Sequence, residues 1–302
     1  MSEATKGPLD QTGLSNEKIY GSDLIAEALR EQKFPYICLN PGASYRGLHD
    51  SLVNYLGNKT PEIITCMHEE HAVGIAQGYA KVTDQALAVA VHSNVGLMHA
   101  SMGIFNAWCD RTPMLVIGAT GPLDAAQRRP WIEWIHTTID QGGMVRGFTK
   151  WDDQPGSPEA AVESIRRGVM LANTHPSGPV YINLDVTVQE QEVATRPKLD
   201  DFGHFPTPDD AEPPRAALNA ALEILKTAKR PFIFCGRGSR REDEWRDRIA
   251  LAERINARTA THMKLAAGFP TNHPAFVGET GWRLKGAVHD AVTSADVVVM
   301  LD

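Results

Sequence analysis

Between about residues 20 and 186 the chain alternates short β-type runs with amphipathic helical patterns. The runs are Tyr36–Leu39, Glu62–Cys66, Ala86–Val91, Met114–Gly118 and Val180–Leu184. Strands joined by tight turns pair antiparallel, whereas helices placed between successive strands belong to crossovers. The alternation therefore predicts an α/β fold, a doubly wound parallel sheet covered on both faces. The first helix is expected to open at Ser22, with Asp23 in its first turn and Leu24, Ile25, Ala28 and Leu29 facing inward, and Pro35 ends it.

The pattern fails between Val188 and Pro214, where Pro197, Pro206, Pro208, Pro213 and Pro214 gather among charged residues. A first domain over 1–187 and a linker over 188–214 follow from that change. A second alternation fills 215–302: helix 215–228, strand Pro231–Cys235, helix 241–255, strand Arg258–Thr261, helix 284–294 and strand Ala295–Leu301. It reads as a second, incomplete α/β Rossmann-like domain. Val297–Leu301 has the uniform apolar character of a central buried strand and the sequence stops at Asp302. The expectation is a longer polypeptide, or a second chain that completes the structure.

At 42% hydrophobic and 22% charged over 302 residues, the composition is that of a globular protein large enough for two cores. The formal charge of −7, with basic residues scattered, offers no footprint for nucleic acid or an anionic membrane. Cys38, Cys66, Cys109 and Cys235 lack C-x-x-C spacing, and three of them sit in or beside apolar runs, as reduced core thiols do. A polar N-terminus and the lack of any run of about 18 apolar residues complete the expectation of a cytoplasmic protein.

The run from His68 to Ala80 places a carboxylate, Glu69, just after Glu62–Cys66, which reads as a buried strand, and at the start of a helix rich in small residues. Gly74, Ala76, Gly78 and Ala80 read as a thin helix face suited to close approach of another backbone or a flat ligand. A carboxylate in a first helical turn has a plain role too, since the helix dipole favours it by about 0.3–1 kcal/mol. His68 and His71 with Glu69 and Glu70 resemble a zinc helix, but that motif spaces its histidines four apart and these are three apart, so no metal is assigned. His99-Ala100-Ser101-Met102-Gly103 comes near a nucleophile elbow, yet it lacks the first glycine and falls inside a predicted helix. The indoles of Trp131 and Trp134 line an aromatic pocket on one reading and pack on one helix face on the other.

Several motifs in fixed order carry a resemblance. Asn40-Pro41-Gly42-Ala43-Ser44, the Glu69 helix, Val91-His92-Ser93-Asn94-Val95-Gly96, Arg111 to Gly118 and Gly178 to Leu184 together resemble the N-terminal pyrimidine-binding domain of thiamine diphosphate enzymes. The acetolactate synthase and benzoylformate decarboxylase group is the most similar. Arg230 to Gly238 and Ala267 to Pro274 resemble the start of the central domain of the same enzymes. The resemblance implies a 2-oxo acid decarboxylase or carboligase, a lyase or transferase acting on a small 2-oxo acid. It implies that Glu69 hydrogen-bonds the pyrimidine ring nitrogen and favours the imino tautomer that removes the thiazolium C2 proton. Such a carboxyl works best buried, where its neutral form is favoured.

By the same resemblance Pro41, Gly42, Gly74 and Gly78 lie at the cofactor, and Ser44, Ser93 and Asn94 near the substrate. His92 stands where the decarboxylase branch carries a histidine that meets the substrate carboxylate or moves protons. A strand-end histidine and a turn serine serve equally well as structural hydrogen-bonders. In the family, diphosphate and Mg²⁺ are held by a further domain with a Gly-Asp-Gly motif, and no such run occurs here. That half is expected from a longer chain or a second subunit, within a homo- or hetero-oligomer. Gly236-Arg237-Gly238-Ser239 is too short and generic to replace it as a phosphate cradle. FAD, which acetolactate synthases hold at the central domain, is neither required nor excluded. The competing expectation is a noncatalytic assembly or regulatory partner with the same fold.

Overall fold

The computed structural model describes residues 18–129, 133–209, 211–263, 265 and 267–301. The chain divides into two compact units, with the main boundary between Pro208 and Asp209 and with Lys81–Asp84 grouped with the second.

The first unit runs β1 (Ile19–Tyr20), α1 (Gly21–Glu31), β2 (Tyr36–Leu39), α2 (Arg46–Asp50), β3 (Glu62–Thr65), α3 (Glu69–Thr83), β4 (Ala88–Ala90) and α4 (Ser93–Cys109). It continues with β5 (Met114–Thr120), α5 (Glu133–His136), β6 (Asp152–Asp153), α6 (Pro158–Asn173), β7 (Pro179–Asp185), α7 (Val186–Glu190) and β8 (Glu192–Val193). Six strands form one parallel sheet in the order β3-β2-β4-β5-β7-β6, and β8 pairs antiparallel with β1. The helix α1 begins one residue before Ser22, and the Asp23 carboxylate accepts from the Tyr20 N–H at 2.9 Å, closing its first turn.

Side-chain alternation along the central strands separates two cores. Leu115, Ile117, Val180 and Ile182 face Leu24, Ile25 and Leu29 of α1 and Ala161 and Ile165 of α6. Met114, Val116 and Tyr181 face the other way, against Ala72, Val73 and Ala76 of α3 and Leu97, Ala100 and Ile104 of α4. Every residue of β5 and β7 is buried, as expected of strands covered on both faces.

Three local expectations need correction. The run Glu62–Cys66 is a partly exposed strand, because β3 lies at the edge of the sheet rather than inside it. The run Ala86–Val91 contributes only Ala88–Ala90 as strand. Gly74, Ala76, Gly78 and Ala80 do not share a face: at about 100° per residue, positions two apart point to opposite sides of a helix. Ala72, Ala76 and Ala80 are buried, while Gly74 and Gly78 lie on the exposed side, where a Cβ would meet nothing within 4 Å.

The second unit contains α8 (Arg215–Thr227), β9 (Pro231–Cys235), α9 (Glu242–Arg254), β10 (Arg258–His262), β11 (Phe276–Thr280), α10 (Gly286–Ser294) and β12 (Val297–Leu301). Its four parallel strands follow the order β11-β10-β9-β12. The strand β11 was not expected from sequence, since Gly278, at φ 140°, and Glu279 interrupt its apolar character. Val297–Leu301, read as a central strand, stands at the end of the order with alternating exposure. The order reverses direction beside β9, and there the carboxyl ends of the strands border a cavity of about 360 Å³ lined by residues including Cys235, Arg237, His262, Thr280 and Leu301. Among the described residues no helix is long and apolar enough to cross a membrane.

Candidate functional site

The site lies at the carboxyl ends of β2, β3 and β4, where the chain leaves the sheet for the helices that cover it. Glu69 is the first residue of α3, and only 4% of it is exposed. Its Oε2 lies 3.2 Å from Nδ1 of His99 on α4. A Cβ placed on Gly96 would come within 2.9 Å of Glu69 Oε1, so the carboxyl rests against the bare backbone of the first turn of α4. The His68 ring stacks on His99, with centroids 4.7 Å apart and planes inclined by 25°. Tyr45 is fully buried and donates its hydroxyl to the Asn40 carbonyl. Burial pushes its ionisation up, and the nearby Glu69 charge adds to that.

A second group meets at the loop after β2. Ser44 Oγ lies 2.9 Å from His92 Nδ1, and the Ser93 N–H donates to the same oxygen at 3.1 Å. The amide uses one of the two lone pairs on Oγ, and the hydroxyl hydrogen remains to be donated to Nδ1. With the bond in that direction, neutral His92 carries its proton on Nε2, which presents a donor away from Ser44. Gly42 lies directly under the imidazole, because a Cβ there would fall 2.4 Å from His92 Cγ. Ser93 holds φ at 44°, a left-handed conformation that costs a non-glycine residue about 1–2 kcal/mol. That turn aims both the His92 ring and the Ser93 amide at Ser44. Asn94 serves locally: its Oδ1 accepts from the Val95 N–H at 2.9 Å and lies 3.2 Å from Ser93 Oγ.

Burial holds His92 below the usual imidazole range, the neighbouring His136 lowers it further, and Glu69 opposes both. A histidine with a depressed folded-state value binds fewer protons than the unfolded chain, so its stabilising contribution is complete above the unfolded value of about 6.5 and is lost as pH falls through the folded one. An NMR titration is expected to place the His92 midpoint below that of a free imidazole. A midpoint at or above it would contradict this burial.

The structure thus brings together Gly42, Ser44, His92 and Ser93, with Pro41 exposed at the loop entrance and Glu69 close enough to influence His92. It does not bring Gly74 or Gly78 into this group, since both lie farther along α3 on its outer side. Residues not anticipated as part of the site are His99, Gly96, Tyr45 and His136, whose ring centroid is 5.0 Å from that of His92. Trp131 falls outside the described residues, and His136 ends the same stretch. The esterase alternative fails on geometry, because the Ser101 hydroxyl donates to the Leu97 carbonyl of its own helix at 2.7 Å.

The family description "Thiamine pyrophosphate enzyme, N-terminal TPP binding domain" matches residues 19–144, and "Thiamine pyrophosphate enzyme, central domain" matches 218–301. A probable acetolactate synthase large subunit of Methanocaldococcus jannaschii is 27% identical over 290 residues, covering 93% of this chain and 46% of that protein. A sulfoacetaldehyde acetyltransferase of Alcaligenes xylosoxydans xylosoxydans is 29% identical over 243 residues, covering 79% of this chain and 38% of that protein. In fold, the chain is similar to benzoylformate decarboxylase from Polynucleobacter necessarius, with a TM-score of 0.75 at 22% identity over 93% of this chain and 50% of that one. A thiamin diphosphate-dependent enzyme from Mycobacterium smegmatis, described as putative, gives a TM-score of 0.77 at 20% identity over 94% of this chain and 52% of that one. The chain spans about half the length of the relatives it matches. With both family descriptions matched in order, the chain belongs to the thiamine pyrophosphate enzyme family.

Proposed function

We propose that this chain supplies the aminopyrimidine-activating half of the site of a thiamine diphosphate-dependent 2-oxo acid decarboxylase or carboligase. The observation that carries the reading is the buried Glu69 carboxyl, held against Gly96 at the sheet's carboxyl edge and within electrostatic reach of His92. The residues present fit the pyrimidine half of the cofactor: Gly42 and Gly96 let the His92 ring and the Glu69 carboxyl pack directly on backbone, and a carboxyl so held is of the kind that exchanges a proton with a ring nitrogen. When bound, thiamine diphosphate supplies a thiazolium carbon that adds to the 2-oxo group and accepts the electrons released by decarboxylation. Glu69 holds and returns the proton of the pyrimidine ring nitrogen. His92, with its Nε2 proton directed away from Ser44, donates to the substrate carboxylate or to a developing oxyanion. A hydrogen bond donated by Ser44 to Nδ1 favours that tautomer.

Mg²⁺ and the diphosphate require oxygen ligands and neutralising charge from another domain or subunit. The outer side of α3 and α4 is the surface we assign to that contact. Met98, Met102 and Phe105 are 54%, 56% and 42% exposed on α4, a helix that is apolar nearly all round, and Gly74 and Gly78 are exposed on α3. A Cβ at position 78 would meet nothing within 4 Å among the described residues. Gly78→Leu is therefore expected to keep the melting temperature of the unit and lower the assembly mass in analytical ultracentrifugation; an unchanged mass would remove α3 from the contact. The cavity of the second unit has no carboxylate among its described lining residues to hold a ribose hydroxyl, so no flavin is assigned to it.

Calorimetric titration of thiamine diphosphate with Mg²⁺ into the purified protein and its assembly tests the reading. Heat that requires a second subunit or a longer chain supports a half-site. No binding in any assembly state favours the noncatalytic partner instead.

A further inference from the structure

Among the described residues, His68, Glu69 and His99 form the one group of three histidine, cysteine or carboxylate side chains whose donor atoms all lie within 4.8 Å of one another. Two imidazoles and a carboxylate are a donor set suited to divalent zinc, cobalt or iron, and unsuited to Mg²⁺, which prefers oxygen ligands. We propose that these three side chains bind a divalent transition-metal ion of the zinc class, and that the bound ion takes the Glu69 carboxyl away from cofactor activation. The second clause rests on the function proposed for Glu69; the first does not.

One donor pair is already near ligand spacing, and all three donors lie within 4.8 Å of one another. Ligands about 2.0–2.2 Å from a tetrahedral ion lie about 3.3–3.6 Å from each other. Glu69 Oε2 and His99 Nδ1 are 3.2 Å apart. A histidine–carboxylate hydrogen bond alone would account for that pair and would leave no reason for a third donor. His68 supplies one, with its ring stacked on that of His99. Glu69 is pinned at the start of α3 by burial, and His99 is on the first turns of α4, so two of the three ligands stand on regular elements. The His99 side chain is 49% exposed, which gives an ion a route in from solvent. An arriving ion replaces the proton shared by His99 and Glu69, and ligation through His68 Nδ1 replaces the bond it accepts from the Glu70 N–H. Three protein ligands leave a further position for water. His71 is not in the group, although its ring centroid is 5.8 Å from that of His68, and it serves as a control on the same helix.

The test is a titration of Co²⁺ into the chelator-treated purified protein, followed by calorimetry and by the visible d–d absorption of a four- or five-coordinate ion. One Co²⁺ per chain is expected. Loss of an outer-shell partner alone weakens metal sites about 10–100-fold, so His99→Ala should weaken Co²⁺ binding at least tenfold. His71→Ala should bind as the parent does. The proposal is overturned if Co²⁺ shows no saturable binding, if His99→Ala binds like the parent, or if His71→Ala weakens binding equally, which would mean surface chelation. Displacement of Co²⁺ by thiamine diphosphate with Mg²⁺ supports the competition. Co²⁺ that stays bound while the assembly also holds thiamine diphosphate with Mg²⁺ overturns the competition and leaves the metal site standing.

Discussion

Replacing Glu69 with glutamine in the assembled enzyme is expected to lower turnover of a 2-oxo acid by about 10²–10⁴-fold, the contribution of a positioned acid–base group. The amide has nearly the same volume, so it fills the same space against Gly96 and still offers a hydrogen bond to His99. It cannot exchange a proton with a ring nitrogen at neutral pH. Thermal unfolding should therefore stay close to that of the parent while exchange of the thiazolium C2 proton, followed by NMR in deuterated buffer, falls with turnover. Exchange and turnover at parental rates would exclude Glu69 as the activating group.

Gly96→Ala should separate stability from activity in a different way. Alanine in a helix is favoured over glycine by about 0.5–1 kcal/mol. Gly96 is not among the residues with positive φ, so the backbone accepts the change. The new Cβ, however, would sit 2.9 Å from Glu69 Oε1 and 3.2 Å from Val91 carbonyl carbon. The carboxyl ends a flexible side chain and yields first. A displacement of about 1 Å at a reacting group costs roughly 10²-fold in rate. The expected outcome is a protein with an unchanged or slightly higher melting temperature and kcat reduced about 100-fold, with substrate affinity less affected. Unchanged kcat would mean that the position of the Glu69 carboxyl against α4 does not matter.

The sheet was legible because it depends on local pattern: β2, β5 and β7 are short apolar runs, and each alternates between two cores as a strand must. Edge position was not legible, since Val297–Leu301 has the apolar content of a central strand, Glu62–Thr65 carries the adjacent Ile63 and Ile64, and only the pairing order places both outside. Glu69 could be found from its place between strand and helix. His99 and Gly96 could not, because their relation to Glu69 depends on how α4 lies beside α3, about 30 residues away in sequence. The small residues of α3 were recognised and wrongly grouped: alternate positions belong to alternate sides of a helix, so the alanines pack inward and the glycines face out. Three of the four cysteines are buried, and burial, with Cys66 adding, pushes the Cys38 thiol up to about 12, in keeping with inert core thiols.

The left-handed turn at Ser93 limits which sequences can carry this site at all. Glycine, asparagine, aspartate and serine adopt that torsion at modest cost, whereas valine, isoleucine and threonine resist it. A residue that straightened the turn would carry the position-93 amide away from Ser44 and swing the imidazole off Gly42. Two contacts would fail together without any change in the reactive side chains. Tolerance to substitution at position 93 is thus governed first by a backbone torsion and only afterwards by what its hydroxyl can do.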